Sequence, residues 1–243
     1  MELKICGMKL NTAEVAALQP DYLGFIFWKP SNRFFETEIP DLPEGIQKVG
    51  VFVDASVEEI FDKVEKYDLQ VVQLHGKESP EFCDELRVKS NVLPFTASAL
   101  HVRSGADETS DSLTAFRSSS MSSLGAPTIK IIKVFSVKDD FDFNILKPYE
   151  EICDYFLFDT KGKLPGGNGY AFDWRVLKNY PSTKPYFLSG GIGLEDVEAI
   201  KKFMQRPEAQ YCHVIDVNSR FEIQPGLKDV DELKEFKKVL STK

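Results

Sequence analysis

With 243 residues, 42% of them hydrophobic and 28% charged, the chain has an ordinary globular composition and enough length to bury a large core as one α/β barrel. Its 30 Lys and Arg against 38 Asp and Glu leave a net charge of −8, which excludes a broad basic field for a nucleic-acid backbone. No apolar run approaches the length that spans a bilayer, and the first residues hold no stretch suited to a signal peptide, so the expected location is the cytoplasm.

In chain order, short apolar runs predict strands at 3–5, 22–27 and 49–53. Ser56-Val57-Glu58-Glu59 then forms a capping-box pattern that opens a helix reaching about Tyr67. A fourth strand at 71–74 is followed by Ser79-Pro80, an N-cap before a proline at the first helical position, with a helix expected over 80–88. The segment 104–123 breaks the rhythm, because eight of its twenty residues are serine. It is expected to be a mobile insertion between the fourth helix and the fifth strand, opposite the catalytic loops of a barrel and dispensable for chemistry. Strands follow at 129–135, 155–158, 185–188 and 214–217, with helices at 194–204 and 230–240 that carry acidic residues early and lysines late. Unbroken rather than alternating apolar runs suit parallel strands covered on both faces. Eight of them alternating with helices predict a single (β/α)₈ barrel domain over 1–243.

Barrel active sites lie at the C-terminal ends of the strands, and those positions here are rich in glycine and polar residues. Cys6 follows the first strand at a turn expected to be exposed, where helix ends or cations could lower a thiol pKa; the alternative is a buried small hydrophobe. Asp159 ends the run Tyr155-Phe156-Leu157-Phe158. Desolvation there would suit a general acid, and helix capping is the alternative. Ser189-Gly190-Gly191-Ile192-Gly193 precedes a predicted helix after the seventh strand, a common place for phosphate in barrels. Four scattered cysteines and three histidines show no metal-ligand spacing, so no metal site is expected, and three of the thiols are read as core filler.

The succession Lys4-Ile5-Cys6-Gly7, Ser31-Asn32-Arg33-Phe34, Gln73-Leu74-His75-Gly76, Asp159-Thr160, Gly166-Gly167-Asn168-Gly169, Phe172-Asp173-Trp174, Ser189-Gly190-Gly191 and Asp216-Val217-Asn218-Ser219 resembles the phosphoribosylanthranilate isomerase family along nearly the whole chain outside the serine-rich insertion. The resemblance implies an Amadori rearrangement of N-(5-phosphoribosyl)anthranilate in tryptophan biosynthesis, by acid/base catalysis and without a cofactor. By motif match, Cys6 takes the role of base and Asp159 that of acid. Arg33, Gln73, His75 and Asp216 fall at the substrate, with Arg33 near the anthranilate carboxylate, and Gly190, Gly191, Asn218 and Ser219 fall at the phosphate. The partner implied is a small phosphosugar, not nucleic acid or membrane, and no protein partner is indicated. Departures are Asn32 for a proline, Asn168 for a threonine and Arg220 for a glycine; the last alters how backbone N–H groups reach a phosphate and offers a side-chain charge instead. Two alternatives stand beside this reading. A histidine-pathway isomerase of the same reaction type would carry aspartate where Cys6 stands, and a barrel that binds without turnover would be expected to have lost Cys6 or Asp159.

Overall fold

The computed structural model describes residues 1–92, 128–138, 140–160 and 173–241. Eight strands, β1 (Glu2–Ile5), β2 (Tyr22–Ile26), β3 (Gln47–Phe52), β4 (Val71–Leu74), β5 (Lys130–Val137), β6 (Tyr155–Thr160), β7 (Tyr186–Leu188) and β8 (Cys212–Val217), close in chain order into a parallel barrel. Every strand expected from the sequence is present. The seam closes by β1 on β8, with Lys4 opposite Asp216 and Ile5 opposite Val217.

Alternation along each strand sorts its residues between two cores. Tyr22, Val49, Val71, Ile132, Val134, Leu157, Phe187 and Val214 point inward and fill the barrel, with the Tyr22 and Phe187 rings edge to face at 5.3 Å. Residues of the opposite parity, such as Leu3, Ile5, Leu23, Phe25, Phe156 and Phe158, join the larger core beneath the helices. An apolar run with no polar interruption is therefore what a strand with two buried faces requires.

The helices are α1 (Thr12–Ala16), α2 (Val57–Tyr67), α3 (Pro80–Val92), α4 (Val197–Phe203) and α5 (Val230–Ser241). At α2 the capping box forms as expected: Glu59 N–H donates to Ser56 Oγ at 3.2 Å, and Ser56 N–H donates to Glu59 Oε2 at 2.9 Å. Among the described residues, three connections depart from regular alternation. β2 and β3 are joined without a helix, by a strap in which Phe34 bridges Ile26 and Phe35 packs edge to face against Phe25 and Tyr67. β5 and β6 are joined through the 3₁₀ segment Phe143–Tyr149, and β6 and β7 through Trp174–Asn179. Pro148 within the first of these lacks the N–H that a continuing α-helix needs. The helix expected over 194–204 opens as a 3₁₀ turn, Leu194–Asp196, before α4. After β8 the chain forms a small hairpin that the sequence reading lacked, β9 (Glu222–Gln224) and β10 (Leu227–Lys228), turning at Gly226 with φ of +84°.

The serine-rich segment 104–123 lies outside the described residues, as do His101, the glycines of 166–169 and Phe172. Among the described residues, no helix is long and apolar enough to cross a membrane.

Candidate active site

Inward parity carries upward to the C-terminal ends of the strands, and the side chains there become polar. At these ends β1 presents Cys6, β4 presents Gln73 and then His75, β6 presents Asp159, β7 presents Ser189 and β8 presents Asp216 and then Asn218. These groups line one cavity together with Arg33, Gly190, Gly191 and Ser219, so all ten residues expected from the sequence meet in one place.

Cys6 is not at an exposed turn. Its side chain is buried, its N–H donates to Val217 O at 2.9 Å, and its sulfur lies against β2 at Gly24. A Cβ at residue 24 would stand 2.9 Å from Cys6 Sγ, so glycine makes the room for the thiol. Burial pushes the Cys6 thiol up from its ordinary value, Asp216 adds to that rise, and the ammonium groups of Lys4 and Lys228 oppose it. The expectation of a thiol lowered by exposure to cations is corrected on both counts: the cations are present, but desolvation outweighs them. All four cysteines are in fact free and buried.

Lys4, two residues before Cys6 on the same strand face, is completely buried and donates to Asp216 Oδ1 at 2.8 Å. Burial works against its charge, yet Asp216 and Cys6 together hold its pKa above the ordinary lysine value. The second oxygen of Asp216 accepts from Ser189 Oγ at 2.9 Å. Asp216 is thus fixed at both oxygens where it lines the cavity.

Opposite Cys6, Asp159 is buried, with Oδ1 accepting the N–H of Thr160 at 2.9 Å and Oδ2 standing 3.3 Å from His75 Nε2. Gln73 Nε2 lies 3.4 Å from His75 Nδ1. With that amide donating, neutral His75 carries its proton on Nε2, facing the Asp159 carboxyl. The loop bearing His75 is braced from outside the barrel, where buried Lys133 donates to Gly76 O and Glu78 Oε2, both at 3.0 Å. Glu78 in turn accepts the N–H groups of Asp54 and Gly76.

At the rim, Gly190 and Gly191 have φ of +99° and +67°, and a Cβ on Gly190 would collide with Thr160 Oγ1. Their N–H groups have no acceptor among the described residues. Arg220, which takes the place of a glycine in the resemblance, pairs with Glu195 across the rim. Arg33 is likewise engaged: its Nε and Nη2 grip the Glu222 carboxylate. One edge of the guanidinium fork is thereby taken by Glu222.

Lys4, Glu222 and Lys228 are the site residues that the sequence reading missed. Lys4 had a signal, a charged residue inside an apolar strand at the parity of Cys6. Glu222 and Lys228 had none, because they meet Arg33 and Cys6 only through barrel closure.

A family model described as N-(5'phosphoribosyl)anthranilate (PRA) isomerase matches residues 3–121 and 117–239. The chain belongs to that family. Among curated relatives, the N-(5'-phosphoribosyl)anthranilate isomerase of Parabacteroides distasonis is 37% identical over 97% of this chain and 91% of its own length. A solved phosphoribosyl anthranilate isomerase from Thermotoga maritima superposes with a TM-score of 0.71 at 26% identity, covering 98% of both chains. A further isomerase structure, a complex with reduced 1-(o-carboxyphenylamino)-1-deoxyribulose 5-phosphate, gives 0.67 at 25% identity, covering 98% of this chain and 97% of that one. Of the departures noted from the resemblance, Arg220 lines the cavity, as do Cys6 and Asp159, both of which are buried.

Proposed function

We propose that this isomerase acts on N-(5-phosphoribosyl)anthranilate with Cys6 as the base and Asp159 as the acid. The observation that carries the reading is the convergence of a thiol and a carboxyl from β1 and β6 on one cavity whose rim holds an arginine and a glycine turn. Asp159 protonates the furanose ring oxygen, and the ring C–O bond breaks to leave a Schiff base. Cys6 then removes the proton from the sugar C2, giving an enolamine that tautomerises to the ketone. No electrons leave the substrate, since C1 is reduced as C2 is oxidised.

The surrounding residues have assigned tasks. Lys4 and Lys228 offset the burial of the Cys6 thiolate as it forms. His75, oriented by Gln73, stands beside the carboxylate that Asp159 becomes on giving up its proton. Gly190 and Gly191, with Asn218 and Ser219 on the neighbouring strand end, offer backbone and side-chain donors to the phosphate. Asp216, held by Lys4 and Ser189, faces the sugar. Arg33 receives the anthranilate carboxylate. A phosphorylated substrate does not cross a bilayer unaided, which supports a cytoplasmic enzyme whose ligand is a small molecule rather than a nucleic acid.

The test is the fluorescence decay of freshly generated phosphoribosylanthranilate with wild type, Cys6→Ala and Asp159→Asn. Wild type accelerates the decay, and each variant loses at least about a hundredfold in turnover, the lower range for a positioned acid or base. A folded Cys6→Ala enzyme with near-normal turnover removes the thiol from the mechanism.

A further inference from the structure

The corner of the cavity that holds Arg33 is built from three parts of the sequence: Gly7, Arg33 itself, and the end of β8 with its hairpin from Asn218 to Lys228. Arg33 Nε lies 2.9 Å from both oxygens of Glu222, and Nη2 lies 2.6 Å from Oε2. The Glu222 side chain is only 4% exposed. Its Oε1 also accepts Lys228 Nζ at 2.9 Å and Gly226 N–H at 3.1 Å. Lys228 Nζ reaches on to Asn218, to Oδ1 at 2.8 Å and to the carbonyl oxygen at 3.1 Å. Gly7 lets this corner close, because a Cβ there would stand 2.7 Å from Arg33 Cδ and 2.5 Å from Asn218 Oδ1.

A buried carboxylate is costly to desolvate, so one that accepts from an arginine, a lysine and a backbone N–H is held for geometry. Its grip takes the Nε edge of the guanidinium and leaves Nη1 without a partner among the described residues. An incoming carboxylate therefore meets the end of the fork rather than its side. Charge reinforces the geometry. Two cations against one anion leave one net positive charge at this corner, the complement of a single carboxylate.

We infer that Glu222, backed by Lys228, is the positioning residue that aims Arg33 at the aromatic carboxylate of the substrate. It does so from the hairpin that directly follows Asn218 and Ser219, so the seats for the carboxylate and the phosphate share one support. The inference rests on the proposed contact of Arg33 with that carboxylate.

The experiment compares kcat/KM for N-(5-phosphoribosyl)anthranilate and N-(5-phosphoribosyl)aniline, which lacks only the carboxylate, with the ketose product quantified by chromatography. Glu222→Gln should lose about tenfold or more on the anthranilate substrate, the scale of a charge-assisted hydrogen bond, and less than about threefold on the aniline substrate. Glu222→Asp, which keeps a charge for Lys228 but falls one methylene short of Arg33, should show the same selective loss. Arg33→Met should remove the preference as well. Equal losses on both substrates in the Glu222 variants, with a selective loss in Arg33→Met, would make Glu222 a structural clamp and overturn the inference alone. Equal losses in Arg33→Met would overturn the contact itself and the inference with it. Failure of both Glu222 variants to fold would also assign Glu222 to structure.

Discussion

At the scale of single residues, the depth of Cys6 sets the pH behaviour of the enzyme. The proposed base works as a thiolate, and burial raises the pH at which the thiolate forms. The sign follows: kcat/KM should rise with pH through a limb lying above the ordinary thiol range of about 8.5. A pH profile whose rising limb is centred below pH 7 would place the base elsewhere. Cys6 and Asp159 were legible because a barrel puts its chemistry where apolar strands end, and both are abrupt polar endings to such strands. The environment of Cys6 was not legible. Its neighbour Gly24 comes from the next strand, and the Lys4 contact to Asp216 spans 212 positions of sequence. Spacing along a chain carries local geometry, not the desolvation that a folded interior imposes.

At the scale of elements, local chemistry was the most readable layer. Ser56 and Glu59 cap α2 within four residues of sequence, and the helix runs from Val57 to Tyr67 as the pattern requires. Ser56→Ala should cost about 1 kcal/mol and lower the melting temperature by roughly 2–4 °C, with turnover unchanged because the cap lies on the surface. Calorimetry with a parallel decay assay checks both halves, and an unchanged melt would remove the cap from the account of stability. The less regular connections were harder to see. Between β2 and β3, Phe35 and its aromatic partners seal the barrel wall in place of a helix, and aromatic packing leaves no periodic trace in sequence. Pro148 did offer a sign that the β5–β6 connection would not hold a regular helix, through its missing N–H.

At the scale of the whole molecule, the interior holds several groups displaced toward their neutral forms. Burial pushes up the phenols of Tyr22, Tyr180 and Tyr186, takes Tyr149 to about 12, and takes the Cys212 thiol to about 12. Cys153 is raised by its hydrogen bond with Cys83 and by burial. A group raised in the fold contributes stability below its unfolded pKa and loses it as pH climbs, so these residues weaken the fold from about pH 8.5 for thiols and about pH 10 for phenols. Lys228, lowered to about 8 by burial, and Cys83, lowered by Cys153, act in the opposite direction. The melting temperature should therefore fall between pH 8.5 and 11, most steeply past pH 10 where the tyrosines engage. Thermal melts across that range would contradict this ionic balance if they stayed level or rose. The seam between β1 and β8 has a consequence of a different kind. Both proposed proton-transfer groups, Cys6 and Asp159, have been synthesised once the sixth strand is made, but Asp216, Asn218, Glu222 and Lys228 arrive only with the eighth strand and its hairpin. A nascent polypeptide on the ribosome thus carries both groups through the 57 residues from Asp159 to Asp216 without a floor to stand them on. Catalytic competence appears in one step, when the late segment docks beside the first strand, and a protein split ahead of β8 should regain turnover only when its two fragments reassociate.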